Sequence, residues 1–353
     1  MEEQIEMKNM KLTVKMVLSV SLLTILSIGV LMLVTDLYME RVAANKAEII
    51  ASETASHYAG IMSNELETAL FEGRALADVM DVFVAAKDTN PISRDMVNAI
   101  LKRFIEENTE YLTVYAGFEP DAFDGLDEQY RLTAGHDETG RFIPFWSRDA
   151  AGKGIVEPLK YYDVPGFGDY YQKPKYNLRE TVIEPRQQVI MGKSTLVTSI
   201  AIPVFETKGY QNFAGIVGID LDIGSLYKKA GNIRLYESGY VMLFSSQGLV
   251  VSGVTEEQVG QSIRNLTDNA ELVELLDRDS KESFILSGQS FINGKPSLIV
   301  GMPVEIGLSN TYWKAVVTIP FDEINKDVRK LRQSIIFYGS LAIVLMIILT
   351  SML

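Results

Sequence analysis

Two uncharged apolar runs near the ends of the chain constrain its fold most. One covers residues 16–35 and the other 334–353, and each is about twenty residues long, enough for a helix to cross a bilayer. Three lysines precede the first run, and positive residues favour the cytoplasmic side. The sequence therefore predicts transmembrane helices at 16–35 and 334–353, a cytoplasmic N-terminus at 1–15 and an extracytoplasmic region at 36–333.

The first run favours an uncleaved anchor over a signal peptide. Its apolar core is longer than that of a signal peptide, and the chain continues directly into a helical pattern after Asp36. The second run extends to the last residue, Leu353. We therefore expect this chain to be the N-terminal part of a longer protein whose cytoplasmic signalling module follows the second span.

The segment after the first run has the pattern of a long helix. Between Tyr38 and Ala86 it contains no proline, and its apolar residues recur near helical spacing. Asn90 and Pro91 are expected to end this stalk helix. Ser93 is expected to cap a second helix, because serine is a preferred N-cap residue and an amphipathic pattern follows it.

From Tyr111 onward the chain changes to short β-type runs separated by Gly, Asp and Asn. The predicted strands are 111–118, 141–146, 195–205 and 213–221 in a first set, with a helical spacer at 225–229, and 240–245, 249–251, 283–286, 297–303 and 313–319 in a second set. The predicted class is α+β.

The two sets of strands repeat each other. AIPV at 201–204 stands 100 positions before GMPV at 301–304, and FAGIVGIDLD at 213–222 stands 100 positions before WKAVVTIPFD at 313–322. A match of pattern and spacing indicates two copies of one α/β unit. We expect a distal lobe at about 90–225 and a proximal lobe at about 226–322.

One position differs in chemistry between the copies: Asp220 aligns with Pro320. A carboxylate at the end of a buried strand is costly unless it is paired. Its presence in the first copy alone suggests that the distal lobe holds a ligand. A cap on the following turn is the alternative role for Asp220.

Residues 141–222 combine aromatic side chains with carboxylates, the mixture that a site for a small cation requires. Trp146 is the first candidate for a ring covering the ligand, with core packing as its alternative role. The predicted pocket residues are Trp146, Tyr162, Asp169, Tyr171, Glu184 and Asp220. Tyr162 and Tyr171 are each one member of a Tyr pair flanking a Pro-Gly loop. Strand alternation allows only one of Thr198 and Ser199 to face such a pocket.

The chain resembles the double-Cache sensor domains of bacterial chemoreceptors and sensor kinases. The resemblance covers essentially all of 38–322. It depends on the long first helix and on the order of GFEPDAFDGLD at 117–127, FWSRD, GDYYQKPK, TSIAIPV and GIVGIDLD. It implies a long N-terminal stalk helix carrying two tandem PAS-like (Cache) α/β lobes, with the distal lobe binding a small molecule. It also implies a cytoplasmic signalling module that acts on signalling proteins, and we expect a homodimer.

The resemblance also bears on the ligand. Amino-acid-binding members of the family carry an Arg two positions before a Trp-Tyr pair, where it holds the ligand carboxylate. Here Phe145 and Trp146 occupy the pair and Ile143 stands at the Arg position, whereas the family's Asp persists as Asp220. This combination resembles the amine-binding branch, whose ligands include quaternary amines and polyamines. Arg141 or Arg148 could replace the missing Arg, so an amino acid remains the alternative.

Several functional classes are disfavoured by composition. The net charge of −13 without a basic cluster argues against nucleic acid. The chain has no Cys and only two His, and it lacks hydrolase and P-loop motifs, so we expect no enzyme, cofactor or metal site in this part. The leading hypothesis is a methyl-accepting chemotaxis receptor. A histidine kinase or a diguanylate cyclase with the same sensor is the alternative.

Overall fold

The computed structural model describes residues 12–190, 192–206, 212–230 and 234–352. Most of the predicted cytoplasmic segment 1–15 lies outside these ranges. A single helix of 74 residues, α1, runs from Leu12 to Ala85 and is about 110 Å long at 1.5 Å per residue. The predicted span and the predicted stalk are therefore one continuous helix, because no proline interrupts it.

Within the residues that the structure describes, two helices are long and apolar enough to cross a membrane. They are α1, in its stretch Ser19–Ala85, and a C-terminal helix, in its stretch Lys326–Ile348, and their apolar windows are exposed in the protein.

The remaining elements alternate between short helices and antiparallel strands. The helices after α1 are α2 (Arg94–Glu107), α3 (Asp169–Asn177), α4 (Ile223–Ala230), α5 (Ala270–Leu276), α6 (Phe321–Ile324) and α7 (Lys326–Met352). The strands are β1 (Tyr111–Phe118), β2 (Pro144–Arg148), β3 (Gly154–Pro158), β4 (Thr181–Val182), β5 (Arg186–Ile190), β6 (Lys193–Phe205), β7 (Phe213–Asp222), β8 (Arg234–Leu235), β9 (Gly239–Phe244), β10 (Val250–Ser252), β11 (Phe284–Gln289), β12 (Pro296–Ile306) and β13 (Thr311–Pro320).

These strands form two separate sheets. The distal sheet has the order β3-β2-β1-β7-β6-β4, with β5 also paired to β6. The proximal sheet has the order β10-β9-β13-β12-β11, with β8 also paired to β9. The predicted mixed α and β class is confirmed.

The N-terminal helices cover one face of the sheets. α1 packs along β6 and β7 of the distal sheet and along β12 and β13 of the proximal sheet, with Leu66 and Leu70 fully buried. α2 packs on β1, β2 and β3. The predicted cap of α2 is confirmed, because the Ser93 side chain accepts a hydrogen bond from the Met96 amide at 3.3 Å.

The opposite face of the distal sheet is covered by α3 and the loop that precedes it. The tyrosine pair Tyr170–Tyr171 was expected in a glycine-bearing loop, but it lies in the first turn of α3, which begins at Asp169. Both rings are buried. The distal lobe therefore has helices on both faces of its sheet, and the space beneath α3 is the place where a cavity can form.

The sequence repeat corresponds to the strand pairs β6–β7 and β12–β13, but their registers differ. Ser199 lies opposite Asp220, whereas the counterpart of Ser199, Ile299, lies opposite Thr318 rather than Pro320. The shift is two residues, and an even shift keeps every side chain on its original face. The repeat therefore preserves the core pattern while changing which residues are cross-strand neighbours.

α1 and α7 pack against each other where the two candidate spans lie. Arg332 of α7 donates to Asp36 of α1 at 2.6 and 2.7 Å and to Glu40 at 2.9 Å. Further along the pair, the Thr24 hydroxyl lies 3.6 Å from the Met346 sulfur. The two helices run antiparallel, and the ion pairs lie at the predicted boundary between the apolar runs and the lobes.

Candidate ligand-binding site in the distal lobe

A cavity of about 410 Å³ lies between the distal sheet and the cover formed by α3 and its preceding loop. It is large enough for an amino acid or a small amine, because ligand pockets begin at about 300 Å³. Its walls come from β1, β2, β5, β7, the end of β3 and the loop after β3. The lining side chains are Tyr115, Phe145, Glu157, Pro158, Leu159, Lys160, Tyr161, Phe167, Tyr170, Arg186, Gln187, Gln188, Val189 and Asp220.

Asp220 supplies a buried carboxylate to this cavity. It is 1% exposed and accepts hydrogen bonds from Thr113 Oγ1 at 2.6 Å and from Ser199 Oγ at 2.5 Å. Both donors are cross-strand neighbours, Thr113 on β1 and Ser199 on β6. Burial raises the pKa of Asp220 above its ordinary value, and these hydroxyls together with the positive charge of Arg186 partly oppose that rise.

Aromatic rings line the same cavity as the carboxylate. The ring of Tyr115 stacks with Phe145 at 6.1 Å and meets the edge of Tyr170 at 5.4 Å between centroids. A glycine makes this arrangement possible, because a Cβ added to Gly218 would lie 2.1 Å from the Tyr115 ring. The faces of such rings attract cations, so the wall and Asp220 favour the same kind of ligand.

Arg186 brings a positive charge to the same cavity. Its buried Nη1 has no hydrogen-bond partner among the described residues, and its guanidinium carbon lies 5.4 Å from the centre of the Tyr170 ring. Gln188, two positions further along β5, lines the cavity with a buried Oε1 that also lacks a partner in the described part of the chain. Buried polar atoms are normally satisfied, so this wall offers both a donor and an acceptor to a ligand.

Trp146 lies on the wrong face of the sheet for the role predicted for it. Its neighbour Phe145 lines the cavity, and successive strand residues point to opposite faces. The Trp146 ring packs in the core beneath α2, where Nε1 donates to Asn98 Oδ1 at 3.0 Å. Trp146 and Asp220 therefore do not line a common cavity in this structure, and Phe145 occupies the wall position expected of Trp146.

Tyr162 and Tyr171 lie outside the cavity and take part in a polar network next to it. Arg141 donates to the Tyr171 hydroxyl, and its guanidinium lies 4.7 Å from the centre of the Tyr162 ring. The Tyr171 hydroxyl also bonds Glu119, to which Lys175 donates at 2.9 Å. Burial works to raise the pKa of Glu119, but the hydrogen bonds from Lys175 and Tyr171 and the charge of Arg141 lower it below its ordinary value.

Asp169 and Glu184 also lie outside the lining. Asp169 begins α3, accepts from the Gly166 amide at 3.0 Å and pairs with Lys173 at 3.1 Å, so it stabilises the loop before α3 and the first turn of that helix. Glu184 reaches the proximal lobe, where it accepts hydrogen bonds from the Ser245 and Ser246 hydroxyls. Of the six predicted site residues, Asp220 alone lines the cavity.

Neither arginine suggested as a substitute carboxylate clamp lines the cavity. Arg141 also donates to the Phe118 carbonyl, and Arg148 donates to carbonyls that follow α2, including Asn108 at 3.2 Å and Thr109 at 3.1 Å. Of the two hydroxyls that alternation separates, Thr198 bonds the Ile183 carbonyl at 2.7 Å and Ser199 bonds Asp220.

Sequence reasoning missed most of the lining. With the strand register known, the alternation of side chains along β1 and β2 would have placed Phe145 on the same face of the sheet as Asp220. Arg186 and Gln188 carry a weaker indication in the sequence, since polar residues at i and i+2 after Pro185 share one face of a strand. The described residues contain no cluster of His and acidic side chains that could hold a metal ion.

The long helix, the two antiparallel sheets and the distal cavity are the architecture of a sensor domain of the Cache class. The sequence model of the Cache domain, dCache type, matches residues 36–328. The chain therefore belongs to the Cache domain family.

Two curated relatives are chemoreceptors of Pseudomonas aeruginosa. The chain is 27% identical over 176 residues to methyl-accepting chemotaxis protein TlpQ, which is 46% of this chain and 24% of that protein. It is 26% identical over 196 residues to methyl-accepting chemotaxis protein PctB, which is 54% of this chain and 29% of that protein. The chain thus spans less than a third of the length of these relatives.

Solved sensor domains share the fold. The extracellular domain of a proposed histidine kinase, mmHK1S-Z3, superposes with a TM-score of 0.67 at 25% identity, covering 82% of this chain and 98% of that one. The ligand-binding domain of PctB of P. aeruginosa in complex with L-Arg superposes with a TM-score of 0.52 at 18% identity, covering 82% of this chain and 93% of that one. The sensor architecture therefore occurs in a histidine kinase and in a chemoreceptor, two of the three classes considered from the sequence.

Proposed function

We propose that this chain is the sensor part of a transmembrane receptor, most closely a chemoreceptor, whose distal lobe binds a small metabolite carrying a positively charged nitrogen. One observation carries the proposal: a buried carboxylate, Asp220, faces an aromatic-walled cavity. An ammonium or quaternary amine there would pair with Asp220 and lie against the rings of Tyr115, Phe145 and Tyr170.

The arrangement in the membrane follows from the two candidate spans. α1 and α7 would both cross the bilayer, with the ion pairs of Arg332 near the outer surface and both lobes outside the cytoplasm. The output module would follow α7. Homology to the methyl-accepting chemotaxis proteins TlpQ and PctB favours a chemotaxis module over a histidine kinase or cyclase. A homodimer remains part of this proposal.

Signalling would depend on the segment between α3 and β5. Glu180, just before β4, accepts from Arg74 of α1 at 2.6 and 2.7 Å and from the Leu308 amide of the proximal lobe. The same segment carries Arg186 into the cavity. A ligand that bound more tightly to one conformation of this segment would increase the population of that conformation. The positions of the proximal lobe and α1, which contact the segment, would shift with it.

The test uses the 353-residue chain in lipid nanodiscs and isothermal titration calorimetry with a panel of primary amines, quaternary amines, polyamines and amino acids. We expect at least one compound with a cationic nitrogen to bind the wild-type chain, and Asp220→Asn to abolish that binding. Asp169→Asn makes the same chemical change outside the cavity and should retain it. Binding that survives in Asp220→Asn would refute the assigned site.

A further inference from the structure

We propose that Arg186 is a specificity-determining residue of the cavity, and that the ligand is a zwitterion with its cationic nitrogen at Asp220 and an anionic group at Arg186. This inference rests on the proposed function above. The sequence indicated that the site lacks a residue for a ligand carboxylate, because Ile143 stands at the position of the family's Arg. In the structure the Ile143 side chain is buried in the apolar cluster next to the cavity. The geometry supplies a cation from another strand.

The first step of the argument is charge balance. The lining holds four charged residues, of which Glu157 and Lys160 are exposed and pair with each other at 3.5 Å. Asp220 and Arg186 belong to the inner wall, and the positive charge of Arg186 opposes the rise that burial causes in the pKa of Asp220. Arg186 has no ion pair among the described residues, unlike Arg74, which is held bidentately by Glu180. A simple amine would satisfy Asp220 and leave the guanidinium facing a second cation.

The second step is the unsatisfied donor. Arg186 Nη1 is shielded from solvent and lacks a partner in the described chain. Leaving a desolvated charge uncompensated is costly, whereas a carboxylate meets a guanidinium with short, charge-assisted hydrogen bonds. A ligand carboxylate would satisfy this donor and cancel the second charge of the wall.

The third step is the position of Arg186 in the fold. It is the first residue of β5, directly after Pro185, and β5 pairs with β6 through Arg186 and Val197. β6 also carries Ser199, which bonds Asp220. The two charges therefore stand on a continuous hydrogen-bonded framework, β5-β6-β7, which fixes the separation that a ligand has to match. Gln188 adds an unpartnered carbonyl oxygen for the hydrogens of an ammonium.

The test compares matched pairs of ligands on the full 353-residue chain in nanodiscs by calorimetry: each amino acid against its decarboxylated amine, and glycine betaine against choline. For at least one pair, the zwitterion should bind at least tenfold more tightly than its partner lacking the carboxylate. Arg186→Met should reduce that ratio to within threefold of one, by weakening the zwitterion and leaving or improving the amine.

Arg179→Met is the matched control, because Arg179 is an exposed arginine of the same lobe outside the lining. It should preserve the wild-type ratio, and circular dichroism should show that both variants fold. Amines that bind as tightly as their zwitterions, or a ratio unchanged in Arg186→Met, would overturn this inference and leave the proposed function intact. Binding of neither class would overturn both.

Discussion

Glu184 and Arg186 are separated only by Pro185 yet reach into different parts of the protein. Arg186 lines the distal cavity, and Glu184 accepts hydrogen bonds from Ser245 and Ser246 of the proximal lobe. A displacement of Arg186 toward a ligand has a short covalent path to the contact between lobes. The ligand site and the lobe contact thus share one segment.

The Glu184 contact predicts that the lobes can be uncoupled without loss of binding. Glu184→Ala leaves two serine hydroxyls without their carboxylate, and hydrogen bonds to charged groups make a net contribution to stability of about 1.5–3 kcal/mol each. We expect a lower melting temperature, a ligand affinity within threefold of wild type, and a reduced ligand effect on hydrogen exchange in the β9–β10 turn.

Glu138→Ala is the control for this variant, since it removes the same charge from an exposed position of the distal lobe. It should leave the melting temperature and the exchange response unchanged. A Glu184→Ala chain whose proximal turn still responds fully to ligand would show that the coupling runs elsewhere.

The ionised carboxylate of Asp220 is expected to favour ligand binding but to lower the stability of the folded protein, by an amount that depends on pH. Its folded-state pKa is raised by burial, so the folded protein holds the proton more tightly than the unfolded chain does. Its contribution to stability is therefore most favourable below the unfolded pKa of about 3.9 and declines as pH rises toward the folded pKa. Asparagine at this position carries no charge to bury, and its side-chain amide can still form hydrogen bonds with Thr113 and Ser199.

For Asp220→Asn without ligand we therefore expect a melting temperature at pH 7 that lies between that of wild type and about 2 °C above it. The difference in melting temperature between the variant and wild type should narrow at pH 4. The variant should fail to bind the ligand at either pH. Melting curves of the two chains across this range provide the measurement. A variant that became relatively less stable as the pH rose would contradict the assigned environment.

Phe145 and Trp146 predict opposite consequences from adjacent positions. Phe145→Leu removes a ring from the cavity wall and should weaken ligand binding about tenfold, because aromatic cation contacts are worth about 0.5–2 kcal/mol. Trp146→Phe loses the bond to Asn98 and some core volume. It should lower the free energy of unfolding by about 1–2 kcal/mol with binding unchanged.

Calorimetry and chemical denaturation separate the two effects. If Trp146→Phe removed binding while Phe145→Leu retained it, Phe145 would not face the cavity and the assignment of the two faces of β2 would be incorrect.

The packing of α1 on α7 predicts a specific crosslink. A Cβ at Gly339 would lie 3.4 Å from the side chain of Ile28, and the natural chain has no Cys to compete. Ile28→Cys with Gly339→Cys should therefore form a disulfide under mild oxidation in membranes. Leu26→Cys with Gly339→Cys is the control, because the Leu26 side chain is 67% exposed and faces away. Equal yields from both pairs would refute the packing.

The sequence by itself determined the features that depend on local pattern. The limits of β1 were predicted as observed, the cap at Ser93 was identified, and Asp220 was singled out because its counterpart in the repeat is Pro320. Helix periodicity, capping chemistry and strand alternation are written in neighbouring residues, and a repeat exposes a position that departs from the shared core. These features required no knowledge of which strands pair.

Only the tertiary structure decided which residues meet Asp220. Trp146 was placed in the pocket and Arg186 was overlooked, because the face of a strand residue depends on register, and register is set by strands distant in the chain. The same applies to Tyr171, which α3 directs into the network of Arg141 rather than into the cavity. The chemistry of the site is thus assembled by pairing across β1, β5, β6 and β7, a non-local property that no short segment specifies.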